Sequence, residues 1–122
     1  MKATAVNVRV AHLKSGEAGD GKVYDNLREW MGDPCNVYVG RRGVVFIDGK
    51  RFPEQDSPFC NPYKVKPDRP AEDAVLDYKI FVLPTYTPEQ LASLKGKRLG
   101  CWCHPNTCHA QALADLVNRV FF

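Results

Sequence analysis

Cysteine and histidine side chains are concentrated in one short part of this sequence. Three of the five cysteines and two of the three histidines fall within residues 101–109. Thiol and imidazole groups serve as nucleophiles, proton-transfer groups and metal ligands. The spacing of apolar residues predicts a short strand over 98–102 and a helix from about residue 110 onward. The cluster is therefore predicted where a strand ends and a helix begins, a junction that collects ligands because the first helical amides are unpaired.

One interpretation of the cluster is a reactive thiol or an anion-binding site. Cys108 is predicted at or just before the first helical turn, where amides and the helix dipole stabilise a thiolate or a bound phosphate. His109 would pair with the thiolate or act as a general acid or base, so Cys108 and His109 are the candidate catalytic residues. The predicted turn 40–43 adds a guanidinium fork that suits a phosphate. The candidate ligand-binding residues are Arg41, Asn61, Tyr63 and Cys103.

The alternative interpretation is a zinc site. Four residues separate Cys103 from Cys108, a spacing that zinc knuckles use. The candidate metal ligands are Cys101, Cys103, Cys108 and His109, and a further ligand would be His104, Cys35, Cys60, His12 or water. Adjacent helical residues point about 100° apart, because a turn takes about 3.6 residues, so Cys108 and His109 share an ion only if the helix begins between them. A third interpretation is that the thiols are passive core residues, which suits Cys101 in an apolar strand best.

The composition is that of an ordinary globular protein. With 122 residues, 44% of them hydrophobic, the chain is expected to form a single domain over 1–122. No apolar run reaches the ~20 residues of a membrane helix, and the N-terminal residues lack the apolar segment of a signal peptide. We therefore expect an intracellular protein without a membrane partner. The net charge of +3 is mild and the basic residues are dispersed, so nucleic acid is a weakly supported partner.

The order of the predicted elements indicates an α/β or α+β fold. The predicted strands are 2–10, 36–39, 44–47 and 98–102. The predicted helices are 23–31, 68–82, 88–95 and 109–121. The second and third strands, which a short glycine-containing turn joins, are expected to form a hairpin, and the proline-rich stretch 53–67 is expected to be an ordered loop. We expect a small mixed sheet flanked by helices, ending in a helix–strand–helix unit whose strand is buried on both faces.

Several of these residues together form a pattern that resembles a known family. The segments concerned are 37–41, 61–63 and 96–103, with Pro105 and the pair Cys108–His109. They resemble domain of unknown function 4326, a small family found in phages, bacteria and large DNA viruses, and the resemblance covers about residues 6–120. No reaction is established for the family, so the resemblance implies a pattern of residues rather than an activity. The matching residues are Gly40, Arg41, Asn61, Pro62, Cys101, Trp102, Cys103, Cys108 and His109.

The chain departs from the family pattern at two positions. Tyr63 stands where phenylalanine is common, and Cys60 stands where glycine, alanine or another residue is usual. The resemblance therefore implies no essential role for Cys60. A second uncharacterised family also opens a helix with a Cys-His pair, usually followed by arginine. Ala110 occupies that next position here, so an arginine-dependent anion role is not implied.

The sequence leads to two competing hypotheses and leaves open whether the protein is an enzyme. The first is an intracellular domain, in the host cytoplasm or nucleus if the protein is viral. Its thiol and imidazole groups are expected to meet at an accessible helix start. It would bind a small anionic or phosphate-bearing ligand, or act on a nucleotide or nucleic-acid-related compound. The second is a structural zinc-binding module that mediates protein or nucleic-acid interactions without catalysis. Zinc is the cofactor that these residue types suggest.

Overall fold

The computed structural model describes residues 2–62, 67–68, 70–102 and 108–121. In chain order, the strands and helices are β1 (Thr4–Asn7), α1 (Val10–Ser15), α2 (Leu27–Gly32), β2 (Asn36–Tyr38), β3 (Val45–Ile47), β4 (Lys50–Phe52), α3 (Ala71–Thr85), α4 (Pro88–Ala92), β5 (Arg98–Cys101) and α5 (His109–Phe121). A 3-10 turn, Glu17–Gly19, follows α1. The combination of helices with a parallel sheet confirms the predicted α/β class. No helix in these described ranges combines the length and the apolar character that a membrane span requires.

Strand β5 is the middle strand of a three-stranded parallel sheet. It pairs with β1 on one side and with β2 on the other, and the register places both Ala5 and Val37 opposite Leu99. Leu99 is fully buried, as expected for a strand with neighbours on both sides and helices on both faces. The prediction of a parallel strand between helices near the C-terminal end of the chain is therefore confirmed. All three strands also end at the same edge of the sheet.

The two faces of the sheet belong to two separate hydrophobic clusters. One face packs against α3, α4 and α5, where side chains such as Tyr78, Leu113 and Val117 meet Leu99. The other packs against α1 and α2, and Trp30 is its largest fully buried side chain. Period-two alternation along the strands separates the two sets of side chains.

The remaining two strands form a separate antiparallel hairpin. Strands β3 and β4 pair with Phe46 opposite Arg51. The connecting residues Asp48 and Gly49 have φ values of 54° and 76°, and the left-handed conformation at both positions matches the tight turn that twisted hairpins prefer. The predicted hairpin between 36–39 and 44–47 is therefore wrong. The first of the two predicted strands is β2, which pairs with β5 instead. Its apolar residues have buried partners on both faces of the parallel sheet.

Other boundaries shift where side chains hydrogen-bond to the backbone. The predicted strand 2–10 ends at Asn7, whose side-chain oxygen accepts the backbone N–H of Arg9 at 2.9 Å and turns the chain into α1. Helix α2 begins after Asn26, whose side chain accepts the backbone N–H of Glu29. The Asn26 cap satisfies an amide that α2 itself leaves unpaired. Helix α1 was not predicted, because only its first residue falls within a predicted element, the strand 2–10.

A network of polar side chains closes the amino-terminal edge of the parallel sheet. The guanidinium of Arg98 donates to the side-chain oxygen of Asn36 at 2.5 Å and lies 3.4 Å from a carboxylate oxygen of Asp33. The same carboxylate accepts the Tyr24 hydroxyl at 2.7 Å and the backbone N–H of Cys35 at 2.9 Å. These two hydrogen bonds, that of Tyr24 first, hold the pKa of Asp33 well below its usual range.

Candidate functional site

The carboxyl ends of the three parallel strands gather most of the sequence-predicted site residues that the structure describes. In open parallel sheets this edge is where ligands bind, because the loops that follow the strands surround a crevice. Strand β5 ends here at Cys101, and α5 starts here with His109. After β2, the chain runs past Val39, whose N–H still pairs with the carbonyl of Gly100, to Arg41. Of the predicted site residues, Tyr63 and Cys103 lie outside the described residues, as does the candidate ligand His104.

Two of the predicted cysteines are in direct contact at this edge. The Sγ atoms of Cys101 and Cys108 lie 2.6 Å apart. Their side chains are 1% and 4% exposed, and both belong to the larger hydrophobic cluster. The prediction that Cys101 is buried in the core is confirmed. Cys108 does stand immediately before α5, but its sulfur is enclosed by neighbours instead of lying open at the helix start.

His109 connects the start of α5 to the end of β2. Its Nε2 lies 2.6 Å from the backbone oxygen of Val39, and its ring meets the Tyr78 ring edge-on with centroids 5.1 Å apart. A carbonyl oxygen can only accept, so Nε2 carries the proton of this hydrogen bond. In the neutral ring, Nδ1 is then the atom with a lone pair. The half-buried His109 therefore combines a positioning contact with a nitrogen that can accept a proton or bind a ligand.

Arg41 is held through both its side chain and its backbone. Its guanidinium donates to the backbone oxygen of Asn61 at 2.5 Å, and its own carbonyl accepts the Tyr38 hydroxyl at 2.7 Å. The side chain of Asn61 donates to the carbonyl of Ala74 in α3 at 3.2 Å. Arg41 and Asn61 are thus together, as the ligand-binding prediction requires. The neighbouring Arg42 is exposed, so only one member of the arginine pair belongs to this site.

Tyrosine hydroxyls fix the loop that follows the hairpin. Tyr78 donates to the carbonyl of Phe59 at 2.7 Å, and Tyr86 donates to the carbonyl of Pro58 at 2.6 Å. Burial is the main cause that raises the pKa of both hydroxyls. The described part of the predicted loop 53–67 is therefore ordered against α3, as expected. Sequence reasoning placed Tyr78 on a helix face but gave no signal for these two hydrogen bonds.

Cys60 lies close to the anion-binding candidate. Burial raises the pKa of its thiol, the nearby Asp56 carboxylate raises it further, and the Arg41 guanidinium opposes both effects. The thiol is half-buried. Cys60 therefore belongs to the surroundings of Arg41; the sequence suggested it only as a possible further zinc ligand, and the family resemblance implied no essential role.

Trp102 and Asn7 complete the described part of the edge. The indole Nε1 of Trp102 donates to the Tyr38 hydroxyl at 2.9 Å, and the Asn7 side chain donates to the Trp102 carbonyl at 3.4 Å. Burial raises the pKa of Tyr38 to about 12, so its hydroxyl stays neutral and bridges the two strand ends. Trp102 packs against the smaller cluster, on the face of the sheet opposite Cys101. Neither Tyr38 nor Asn7 was singled out from the sequence as a site residue.

The structure brings one pair of the candidate metal ligands together, and two other candidates do not join that pair. Cys101 and Cys108 are adjacent, but within the described ranges no group of three or more His, Cys, Asp or Glu side chains is arranged to hold a metal ion. His12 is bound to Glu17, with 2.5 Å between Nδ1 and Oε2. Cys35 is exposed at the amino-terminal edge of the sheet, before β2, whereas Cys101 and Cys108 lie at the opposite edge.

Comparison with known proteins gives a family and two viral relatives. The profile of the family described as domain of unknown function DUF4326 matches residues 24–119. An uncharacterised 12.4 kDa protein from the nrdA-td intergenic region of Enterobacteria phage T4 is 49% identical over 35 residues, which is 29% of this chain and 32% of that protein. An uncharacterised protein of Acanthamoeba polyphaga mimivirus is 32% identical over 69 residues, which is 57% of this chain and 50% of the relative.

These matches cover only part of each relative. The chain spans between about a third and a half of the length of the two viral proteins. No solved structure matches the chain. The viral relatives agree with the phage and large DNA virus setting that the residue pattern suggested.

Proposed function

We propose that this chain, which belongs to the DUF4326 family, binds a small phosphate-bearing compound of the nucleotide or nucleic-acid-related class at the carboxyl edge of its parallel sheet. In this proposal Arg41 and the first amides of α5 hold the phosphate. His109 and Cys108 are the groups that act on the bound compound, and the enclosed Cys108 thiol can do so only when its contact with Cys101 opens. The free thiols of Cys35 and Cys60 fit a reducing intracellular setting, which is part of the proposal.

The hydrogen bond between His109 and Val39 is the observation that carries the proposal. It brings the start of α5 against the end of β2, two positions before Arg41 in the chain. A helix start presents unpaired N–H groups and a positive dipole end, and a guanidinium adds a full positive charge with planar donors. Arg41 uses one of its donors on the Asn61 carbonyl, which leaves a fork of further N–H groups to bind a phosphate.

The same geometry gives the imidazole a chemical role. Because Nε2 is occupied by the Val39 carbonyl, Nδ1 is the nitrogen that takes or gives a proton. Cys108 precedes His109 directly and supplies a thiol with Cys101 as its neighbour. A thiol-dependent step would need the Cys108 proton to pass to a base, for which the adjacent imidazole is suited.

A phosphate titration followed by NMR tests the proposal. Inorganic phosphate and adenosine 5′-monophosphate are added separately to ¹⁵N-labelled protein. We expect saturable shifts of the amides at 109–111 and 39–41, with the nucleotide binding more tightly. Arg41→Gln should weaken binding at least tenfold, a loss that corresponds to about 1.4 kcal/mol. Arg42→Gln is the matched control, because that side chain is exposed and outside the site. The proposal fails if these amides do not respond, or if the two variants weaken binding equally.

A zinc-binding module is the second candidate, because the fold brings Cys101 and Cys108 together; to share a tetrahedral ion at about 2.3 Å from each, the sulfurs would have to separate from 2.6 Å to about 3.7 Å. Two sulfurs from a strand end and a helix start are the kind of ligand pair on which structural zinc sites are built. Elemental analysis of protein purified without chelators should then give about one zinc per chain, with unfolding when the metal is removed. Cys101→Ser and Cys108→Ser should abolish zinc binding, while the control Cys35→Ser should retain it. Metal-free protein that folds fully would exclude this candidate.

A further inference from the structure

The outward face of the β3–β4 hairpin carries an exposed aromatic ring beside a cation. Phe46 is 66% exposed, and the guanidinium carbon of its cross-strand partner Arg51 lies 4.8 Å from the ring centroid. The guanidinium is held in place by a hydrogen bond of 3.0 Å from Arg51 Nη1 to the carbonyl of Gly43. One side of the ring is therefore covered by a fixed cation, and the side chain remains largely open to solvent.

This exposure is not a consequence of an unfolded hairpin. The side chains of Val45 and Ile47, on the opposite face of β3, are half-buried, and Val45 packs against the smaller hydrophobic cluster. The alternation of β3 therefore anchors one face and presents Phe46 on the other. A large aromatic side chain kept at the surface on an anchored strand is a typical recognition feature.

The hairpin also carries the positive charge of the chain. Residues 41–52 contain four basic side chains and one acidic side chain, so their net charge equals the +3 of the whole protein, and the rest of the chain is balanced. The single carboxylate, Asp48, is paired with Arg28 at 3.1 Å. The basic side chains are Arg41, Arg42, Lys50 and Arg51.

Two carboxylates follow the hairpin and are part of its surroundings. Asp56 accepts the backbone N–H of Arg42 at 2.8 Å. Glu54 lines a cleft of about 340 Å³ together with Arg42 and Arg51. The cleft beside the outward face therefore presents the cations Arg42 and Arg51, while Glu54 reduces its attraction for an anion.

We propose that this hairpin face binds single-stranded nucleic acid. One base stacks on the exposed ring of Phe46, and neighbouring phosphates contact Arg51, which shares the Phe46 face, and Arg42, which lines the same cleft as Arg51. Stacking on an aromatic ring combined with basic side chains is the general way in which proteins bind single strands. In a duplex the base faces are already stacked, and an acidic peptide would use the charges but not the ring. The inference uses none of the cysteine or histidine residues, so it stands independently of the function proposed above.

Fluorescence anisotropy with a labelled 20-nucleotide deoxythymidine strand tests the contribution of the ring. Phe46→Ala should weaken binding about tenfold, whereas Phe46→Tyr, which keeps a stacking surface, should bind as the unchanged protein does. Ile80→Ala is the matched control, since Ile80 is 69% exposed on α3 and away from the hairpin. Because Phe46 is a surface residue, all three variants are expected to keep the thermal unfolding midpoint.

Salt dependence tests the contribution of the charges. Arg42→Gln should reduce the slope of log K against log salt concentration by about 0.7. Lys50→Gln should change the slope much less, because Lys50 pairs with Ile47 on the opposite face of the hairpin. Glu54→Gln should act in the opposite direction and tighten binding, because it removes the carboxylate from the cleft. Lys14→Gln, at an exposed position on α1, should leave both affinity and slope unchanged.

Four results would overturn the inference. They are the absence of saturable binding in low salt, an unchanged affinity for Phe46→Ala, equal affinity for a duplex of the same length, and displacement of the strand by polyglutamate at the same charge concentration. The last result would show that the face selects acidic chains in general. If the hairpin variants lose binding of the oligonucleotide while inorganic phosphate still shifts the amide signals of residues 109–111, this surface is distinct from the carboxyl-edge site.

Discussion

The sulfur atoms of Cys101 and Cys108 lie 2.6 Å apart, so the last residue of β5 touches the residue immediately before α5. Both side chains are enclosed in the larger hydrophobic cluster. Each sulfur therefore forms part of the packing environment of the other, and the energetic effects of removing them depend on each other.

A double-mutant cycle measures this dependence. Under reducing conditions, Cys101→Ala and Cys108→Ala should each lower the free energy of unfolding by about 1–2 kcal/mol, because each leaves a small cavity. The loss of unfolding free energy in the double variant should be smaller than the sum of the two single losses by at least about 0.5 kcal/mol. Urea unfolding supplies the values, and the exposed Cys35→Ala should change stability by less than about 0.5 kcal/mol. Additive losses would contradict the contact.

The two described histidines are expected to differ in the position of the proton on the neutral ring. His109 should be the Nε2–H form because Nε2 faces the carbonyl of Val39, and His12 should be the Nδ1–H form because Nδ1 faces the carboxylate of Glu17. Long-range ¹H–¹⁵N correlation spectra distinguish the two forms directly. An Nδ1–H form at His109 would remove the basis for assigning proton transfer to Nδ1.

Gly100 is required by the close approach of the sheet to the smaller cluster. A Cβ atom there would stand 2.6 Å from Cγ1 of Val8 and would collide with the ring of Trp30, and both of these side chains are fully buried. Gly100→Ala should therefore lower the free energy of unfolding by about 2 kcal/mol or more. In the matched variant Gly32→Ala, the added methyl meets no atom within 4 Å, and stability should stay constant or rise by up to about 1 kcal/mol. Chemical unfolding of both variants compares them, and equal stabilities would contradict the packing at Gly100.

The lowered pKa of Asp33 gives a prediction for stability against pH. The folded chain favours the ionised carboxylate, so this group stabilises the fold above its unfolded pKa of about 3.9, and the contribution is lost as the pH falls below that value. Asp33→Asn should lower the free energy of unfolding by about 1–2 kcal/mol at pH 7. The difference from the unchanged protein should shrink between about pH 5 and pH 2.

Urea unfolding at several pH values tests the Asp33 prediction. The exposed Asp68→Asn is the control and should show no comparable difference at any pH. A penalty for Asp33→Asn that stays constant down to pH 2 would mean that the side chain acts through packing and not through its charge.

The elements that could be predicted are those whose signal is local. Strand β5 was recognisable because Leu99 and Cys101 continue an apolar run between two helical patterns, and α5 because Leu113 and Val117 recur at helical spacing. The partner of β2 could not be predicted in this way. Its ladder joins Asn36 to Arg98, 62 positions away, and a glycine-containing turn after β2 gives no information about so distant a strand. The hairpin that was predicted from that turn was wrong for this reason.

The candidate site was predictable in its location but not in its contacts. Cys108 and His109 were placed at the start of a helix after a strand, and that is where the structure has them. The contact of His109 with Val39 depends on the loop crossing from one strand to another, so it has no counterpart in residue spacing. The same holds for the bridge from Trp102 through Tyr38 to Arg41, because only the assembled sheet sets the direction of these side chains.

The middle position of β5 has a consequence for biosynthesis. Asn36 and its pairing partner Arg98 are 62 positions apart. A ribosome working at about 5–20 residues per second therefore adds β5, the partner of both β1 and β2, about 3–12 s after β2. Until then β1 and β2 each have an unsatisfied hydrogen-bonding edge of the kind that aggregates or recruits chaperones. A nascent chain stalled before residue 98 would therefore be the form most exposed to such encounters.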